Sequence, residues 1–252
     1  MIHFSFLPQI IKRSKLPLHL FEQDWNAALA EIECHPRDAK IWELRSGFFD
    51  GAHETSVLPL HIACSLHAPL HVVKAIVEAY PEALRMKDTT FKRLPIHVAC
   101  QFSERPEVIE YLIKEDRATT LEPDVSGRLP IHYALSNASD LKVIQTLLDA
   151  NPASASYADY SGWLPIHVAI NLGASTEVIK ELINACPASV AMKTAKGSTT
   201  VKLAEKVSTK NKAEILALLK ATVAASSGKC EGRHLLRRVG KTSRNVQVAQ
   251  AA

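Results

Sequence analysis

Leu94-Pro95-Ile96-His97-Val98-Ala99-Cys100 is the stretch that decides the fold, because near-copies of it recur along the chain. The other copies begin at Leu58, Leu129 and Leu164, and successive prolines in the four copies lie 36, 35 and 35 residues apart. A fifth copy, Thr199 to Ala204, keeps the spacing but lacks the proline. Self-similarity at a fixed period of about 20–50 residues indicates a repeat architecture.

Each copy is followed by a segment with paired apolar residues one helical turn apart. In the first copy these are Val72, Val73, Ile76 and Val77, and later copies keep the i, i+1, i+4, i+5 spacing. This spacing places the apolar residues on one broad face of a helix. Proline cannot continue a helix, and we therefore predict that these helices stop at Pro81, Pro152 and Pro187, with Arg117 at the equivalent place in the second copy.

A polar turn precedes each motif. Asp124 to Gly127 and Asp159 to Gly162 end in glycine, which tolerates the positive φ of tight turns. The turn from Asp88 to Arg93 lacks glycine and is one residue longer. Each unit is therefore predicted to contain a short β-hairpin-like turn, a short helix opened by proline, a loop and a longer helix. One unit cannot bury its apolar face alone, so the sequence predicts an all-α solenoid of stacked helix-turn-helix units.

The pattern resembles the ankyrin repeat, which carries a Thr-Pro-Leu-His-x-Ala motif in a unit of about 33 residues. The Pro, Leu or Ile, His and Ala positions match, whereas leucine replaces the threonine. In the family the threonine hydroxyl helps to cap the first helix and contacts the histidine, so its loss leaves that hydrogen bond open. The resemblance covers 58–221, as units at 58–93, 94–128, 129–163, 164–198 and a degenerate 199–221.

The segment 1–57 is predicted to contain a degenerate capping repeat. Leu16-Pro17-Leu18-His19 resembles the motif, and Asp24 is placed to cap a helix that ends before Pro36. Residues 37–57 would form an enlarged turn region. The first acidic residue is Glu22, so composition leaves an N-terminal transit peptide open as an alternative.

The net charge of +4 is concentrated towards residue 252. From Ser226 onwards there are six basic residues and one acidic residue, a balance of +5, which leaves about −1 for residues 1–225. We predict that 222–252 is a disordered basic tail. Because basic tails bind phosphate groups, binding of nucleic acid or of an acidic surface is the alternative function. The tail has no aromatic residue for base stacking, which favours protein binding as the first hypothesis.

The four motif histidines are predicted to be structural and not metal ligands: His61, His97, His132 and His167. Equivalent residues of stacked helices lie roughly 8–10 Å apart, whereas a zinc ligand lies about 2.1 Å from its metal. His61 and Cys64 have the spacing of a nucleophile pair, but later copies carry Leu135 and Ile170 at the cysteine position. The sequence also lacks known nucleotide-loop and hydrolase motifs. We expect no enzymatic activity, no cofactor and no metal.

The resemblance implies a concave surface of turns and short helices on which partners bind. We therefore predict a protein-binding scaffold or adaptor. Aromatic residues and arginine dominate binding energy at interfaces, and such residues occur on these turns and short helices. The predicted partner-binding residues are Phe91, Arg93, Phe102, Arg128, Tyr160 and Trp163. The alternative for Tyr160 and Trp163 is that they pack against a neighbouring turn.

The composition also gives an expectation for the cell compartment. The five cysteines are odd in number and widely spaced, which argues against a disulfide framework and favours the cytoplasm or nucleus. No apolar run is long enough to cross a membrane, so we expect no membrane span. We expect a monomer.

Overall fold

The computed structural model describes residues 14–49, 51–102, 105–138 and 140–227. Within these ranges the chain forms twelve α-helices in six pairs and one two-stranded antiparallel sheet. In chain order the helices are α1 (Leu16–Phe21), α2 (Trp25–Cys34), α3 (Pro59–Ser65), α4 (Leu70–Ala79), α5 (Pro95–Phe102), α6 (Pro106–Glu115), α7 (Pro130–Ser136), α8 (Leu141–Ala150), α9 (Pro165–Asn171), α10 (Thr176–Ala185), α11 (Thr200–Lys206) and α12 (Lys212–Ser227).

The helices form two rows. The odd-numbered helices pack on one another in chain order, the even-numbered helices form a second row beside them, and each pair shares its own interface. The paired apolar residues of the long helices face this interface; Val72, Val73 and Ile76, for example, are fully buried. The buried residues form one hydrophobic cluster that extends from Leu16 to Leu219. The prediction of a helical repeat solenoid is therefore confirmed.

The leucine that replaces threonine in the motif is a core residue. Leu58 and Leu129 are fully buried, and Leu94 and Leu164 are 1% exposed. Each precedes a proline that occupies the first turn of its short helix, where a missing N–H is tolerated. The substitution therefore adds apolar area to the interface between units.

The long helices end just before the positions predicted from the sequence: Pro81, Arg117, Pro152 and Pro187. The sequence did not predict the short 3₁₀ helices that begin there. Each of the first five is followed by a 3₁₀ helix: Pro36–Lys40, Pro81–Arg85, Arg117–Leu121, Pro152–Ser156 and Pro187–Ala191. Side-chain hydroxyls stabilise several of these turns, and Ser189 Oγ donates to the carbonyl oxygen of Cys186 at 2.6 Å. Where arginine replaces proline, Arg117 Nη2 donates to the carbonyl oxygen of Asp149 in α8 at 2.9 Å.

The first helix pair precedes the full motifs. Asp24 caps α2, because its side chain accepts a hydrogen bond from the N–H of Ala27 at 3.0 Å. Helix α1 packs on α3 and α2 packs on α4, so this pair extends both rows. Between α2 and α3 lies a hairpin of β1 (Glu43–Ser46) and β2 (Glu54–Val57), with Glu43 opposite Val57.

The last helix extends further than the sequence pattern suggested. Helix α12 continues to Ser227 and so includes the first residues of the segment predicted to be a tail from 222 onwards. Val223 packs against the hydrophobic cluster, which explains the extension. The remaining part of the predicted tail, 228–252, and the N-terminal residues 1–13 lie outside the described residues.

Candidate protein-binding surface

The turns before the motifs are joined into one continuous surface by backbone hydrogen bonds. The N–H of Val125 donates to the carbonyl oxygen of Phe91 at 2.9 Å, and the N–H of Tyr160 donates to that of Ser126 at 3.0 Å. The N–H of Ala195 extends the series to the fourth turn, donating to Ser161 at 3.1 Å. We call residues 88–93, 124–128, 159–163 and 194–198 the turn row.

Buried aspartates organise the turns from within. Oδ1 of Asp124 accepts hydrogen bonds from the N–H groups of Ser126 and Arg128, both at 2.8 Å. Asp159 makes the equivalent bonds in the third turn. Asp88 accepts from three N–H groups of its own turn and from Thr55 Oγ1 at 2.7 Å. Since these carboxylates are used internally, they add no exposed negative charge to the turn row.

Positive backbone φ angles close the turns. Gly127 and Gly162 have φ of 76° and 73°, as the sequence predicted, and Lys92 adopts φ of 57° in the turn that lacks glycine. Gly162 is required for a second reason: a Cβ atom there would lie 2.5 Å from the backbone nitrogen of Ala195. The turns 159–163 and 194–198 therefore lie too close together for any side chain at position 162.

The motif histidines connect the start of each short helix to backbone near the end of the same unit. Nδ1 of His61 accepts a hydrogen bond from the N–H of Leu58 at 3.2 Å, so the ring proton lies on Nε2. Nε2 donates at 3.2 Å to the carbonyl oxygen of Arg93, the residue directly before the next motif. In the ankyrin motif a threonine hydroxyl contacts the histidine; here the backbone N–H of the leucine at that position makes the hydrogen bond to the histidine instead. His97 and His132 make the equivalent pair of bonds, to Arg128 and Trp163. His167 accepts from the N–H of Leu164, but its Nε2 donates to the carbonyl oxygen of Met192 at 3.2 Å.

These histidines are held in the neutral form. Burial lowers the pKa of His61 and of His97 to about 4, against an opposing effect of their backbone hydrogen bonds. Burial also lowers the pKa of His132 and His167. Among the described residues, no group of three or more His, Cys, Asp or Glu side chains is arranged to hold a metal ion.

Arg93, predicted to bind a partner, is instead largely enclosed by the protein. Its guanidinium lies 4.6 Å from the ring centre of Phe49, 4.9 Å from that of Phe91 and 4.8 Å from that of Tyr133. Nη1 donates to Gln101 Oε1 at 3.0 Å, and 13% of the side chain is exposed. Phe91 belongs to the same cluster, so these two residues join the hairpin to the turn row and offer little surface to a partner.

Arg128 and Trp163 lie side by side, as their equivalent positions in the motif suggested. The Arg128 side chain is 44% exposed, and its Nε lies 3.5 Å from Oδ2 of Asp159. The Trp163 side chain is half-buried, and its ring lies 6.3 Å from that of His167 at an interplanar angle of 76°. Both border a depression of about 330 Å³, whose lining also includes Ser136, Asp159, Ser161, Val168, Asn171 and Leu172.

The remaining predicted residues differ in exposure. Tyr160 is 74% exposed, yet its ring also covers Gly127, where a Cβ atom would lie 2.6 Å from Cδ1 of the tyrosine. Phe102 is half-buried against the core at the end of α5. Sequence reasoning overlooked Val168 as part of the depression, although its i, i+4 relation to Leu172, the residue that follows α9, is a signal that could have placed it there.

A family model for ankyrin repeats, described as three copies, matches residues 60–158. This segment consists of ankyrin repeats. The resemblance to ankyrin repeats seen in the motif is thereby confirmed for residues 60–158. No curated protein gives a significant match to the chain. Ankyrin repeats are generally protein-interaction modules and are typically non-enzymatic. In the part of the chain that the structure describes, no helix combines the length and apolarity needed to cross a bilayer.

Proposed function

We propose that this chain is a non-enzymatic protein-binding scaffold whose partner binds the turn row at the depression between Arg128 and Trp163. The observation that carries the proposal is the backbone ladder that joins the turns. A surface fixed by main-chain hydrogen bonds is ordered before binding, so a partner loses little of its binding energy to ordering it. Arginine and tryptophan beside an apolar depression are the residues that most often dominate interface energetics.

The cell compartment proposed is the cytoplasm or nucleus. Cys64 and Cys100 are buried free thiols, and burial raises the pKa of the Cys64 thiol to about 12. Such thiols act as small apolar core residues, which suits a reducing compartment. We propose that the chain acts as a monomer, because the solenoid surface by itself offers a complete binding site.

Affinity capture from nuclease-treated cell extract tests the proposal. The variant Arg128→Gln/Leu172→Gln alters the depression through two exposed side chains, and Lys114→Gln/Leu121→Gln makes the same chemical changes on other parts of the solenoid. We expect at least one protein to be captured by the wild type and the control, and to be lost with the first variant. A tenfold loss of affinity corresponds to about 1.4 kcal/mol.

The readouts separate this function from its alternative. Thermal melts of both variants verify that they remain folded. If every captured protein is retained by the first variant, the proposed surface is wrong. If capture from untreated extract disappears after nuclease treatment, binding runs through nucleic acid, as the basic segment 228–252 would suggest.

A further inference from the structure

The exposed charged side chains of the turn row are all positive. Lys92 and Lys196 are exposed, and the Arg128 side chain is 44% exposed. The three acidic residues of the row are buried: Asp88 is fully buried, and Asp124 and Asp159 are 4% and 6% exposed. A partner that approaches the turn row therefore meets three cations on three different turns and no exposed carboxylate.

The short helices beside the row leave this charge uncompensated. Helices α3, α5, α7 and α9 contain no Asp, Glu, Lys or Arg. On the long helices, two lysines are ion-paired with the neighbouring helix: Lys142 Nζ lies 2.6 Å from Glu110 Oε1, and Lys180 Nζ lies 3.4 Å from Glu214 Oε1. Among the described residues, Lys92 and Lys196 form no ion pair. Arg128 is paired with the buried Asp159, so Lys92 and Lys196 carry the unpaired positive charge of the turn row.

The depression adds an apolar anchor site to this cationic row. Trp163, Val168 and Leu172 supply its apolar lining, and Leu172 is 54% exposed. Arg128 stands at its edge with Asp159 behind it; the Asp159 side chain is 4% exposed, so a ligand meets the guanidinium and not the carboxylate. This combination suits a bulky apolar side chain that is followed or preceded by a carboxylate.

The repeat geometry sets how many residues of a bound peptide separate one turn from the next. Stacked helices lie roughly 8–10 Å apart, and an extended chain advances about 3.3 Å per residue. An extended peptide lying along the row therefore passes one turn about every three residues. In order, the four turns present Lys92, Arg128, the Trp163 depression and Lys196.

We propose that the turn row binds an extended acidic peptide segment of a partner protein, with a bulky apolar side chain in the Trp163 depression and carboxylates facing Lys92, Arg128 and Lys196. The inference rests on the proposed function and names the chemistry of the partner. The chain's own segment 228–252 has the wrong charge to occupy this site, since it carries six basic residues and one acidic residue. A nucleic acid is disfavoured because its affinity grows with the number of phosphates neutralised, and the row offers three cations.

Selection from a displayed library of random 12-residue peptides, with the full chain as bait, tests this directly. We expect the enriched peptides to carry Asp or Glu at intervals of about three residues and one Trp, Phe, Leu or Ile among them. The affinity of one synthetic enriched peptide is then measured by fluorescence anisotropy. Arg128→Gln and Lys92→Gln/Lys196→Gln should each weaken it at least fivefold, whereas Lys114→Gln, an exposed cation on α6, should leave it unchanged.

The outcomes are distinct. Enrichment of neutral or basic peptides overturns the acidic-peptide inference, and so does equal peptide binding by the wild type and Arg128→Gln. In either case, a protein partner that is captured at the turn row still supports the proposed function. No enrichment of any peptide overturns the inference as well. If a single-stranded oligothymidylate binds with the same dependence on Arg128, the row is a nucleic-acid site, and both proposals fail. A neutral variant, Leu172→Gln, checks the apolar anchor independently of charge and should also weaken the peptide.

Discussion

His132 joins the second turn of the row to the third. Its Nδ1 accepts a hydrogen bond from the N–H of Leu129 at 3.0 Å, and its Nε2 donates to the carbonyl oxygen of Trp163 at 3.2 Å. The ring therefore fixes the backbone of the very residue that borders the candidate depression. It also acts at the third position of helix α7, where a Glu or Gln side chain would otherwise accept the same N-terminal N–H.

Replacement of His132 by alanine should destabilise the fold. The change leaves the buried N–H of Leu129 without a partner, at a cost of about 1–3 kcal/mol. It also removes one of two hydrogen bonds to the carbonyl oxygen of Trp163, which still accepts from the N–H of Asp159 at 2.9 Å. We expect a loss of roughly 2–4 kcal/mol in the free energy of unfolding, measured by urea denaturation. His132→Gln, which retains an acceptor for the Leu129 N–H, should lose less. Equal losses for the two variants would contradict this assignment of roles.

Stability should fall as the pH decreases from about 6.5 towards 4. Burial lowers the pKa of His61 and His97 to about 4 in the folded chain, whereas the unfolded value is about 6.5. Below pH 6.5 the unfolded chain therefore binds protons that the folded chain does not, and the stabilisation that is complete above pH 6.5 is lost progressively. The loss at pH 5 amounts to about 2 kcal/mol per histidine.

The measurement is the melting temperature between pH 7 and pH 5, a window above the ordinary pKa of carboxylates. Asp124, Arg93 and Lys87 are the charged groups that act on His97. In His97→Gln the melting temperature should fall less steeply with decreasing pH than in the wild type, because one buried titrating group is gone. A slope unchanged in this variant would place the pH dependence elsewhere.

The two arginines that precede motifs should differ in their effect on stability. Arg93 is enclosed by three aromatic rings and Gln101, so Arg93→Ala should cost roughly 2–3 kcal/mol through lost packing and hydrogen bonding. Arg128→Ala should cost less than about 1 kcal/mol, because its side chain is 44% exposed. Thermal melts of the two variants decide the matter, and a reversed order would mean that Arg128 is the structural residue of the pair.

The sequence could predict the fold because its periodicities coincide, but it could not separate these two arginines. Both precede Leu-Pro, and only Arg93 lies next to the hairpin that supplies Phe49. That contact joins residues from an irregular insertion to the repeats, and no period encodes it. The 3₁₀ helices were missed for a similar reason, since hydroxyl bonds such as that of Ser189 depend on three-dimensional turn geometry. The placement of Arg128 beside Trp163, by contrast, followed directly from the period.

Gly162 and Gly197 form a matched pair for testing the contact between turns. Both have positive φ, 73° and 76°, but a Cβ on Gly162 would meet the backbone of Ala195, whereas a Cβ on Gly197 would meet nothing within 4 Å. Gly197→Ala should therefore cost about 1 kcal/mol for the left-handed backbone alone. Gly162→Ala should cost at least twice as much in urea denaturation. Similar costs would indicate that the turns can separate without penalty.

Chelation should not affect stability. The motif histidines use both ring nitrogens for hydrogen bonds to the backbone, so neither nitrogen is available to a metal. We expect the same melting temperature with and without excess EDTA, and no stoichiometric zinc in elemental analysis of the purified chain. A lowered melting temperature after chelation, restored by added zinc, would contradict the structural role of the histidines.

Helix α12, and not the basic segment after it, should complete the solenoid. Ile215 and Leu219 are 3% and 0% exposed, and α12 packs on α11 and on the 3₁₀ helix Pro187–Ala191. A chain that ends at residue 227 should keep the melting temperature of the full chain, because the paired apolar pattern ends before that point. A chain that ends at residue 211 should melt at least several degrees lower, because removal of α12 exposes the apolar face of the last repeat. Circular dichroism melts of the three lengths compare them directly. If the chain ending at 227 melts as early as the shorter one, residues 228–252 contribute to the packing of the last repeat, and the division between solenoid and basic segment has to be moved.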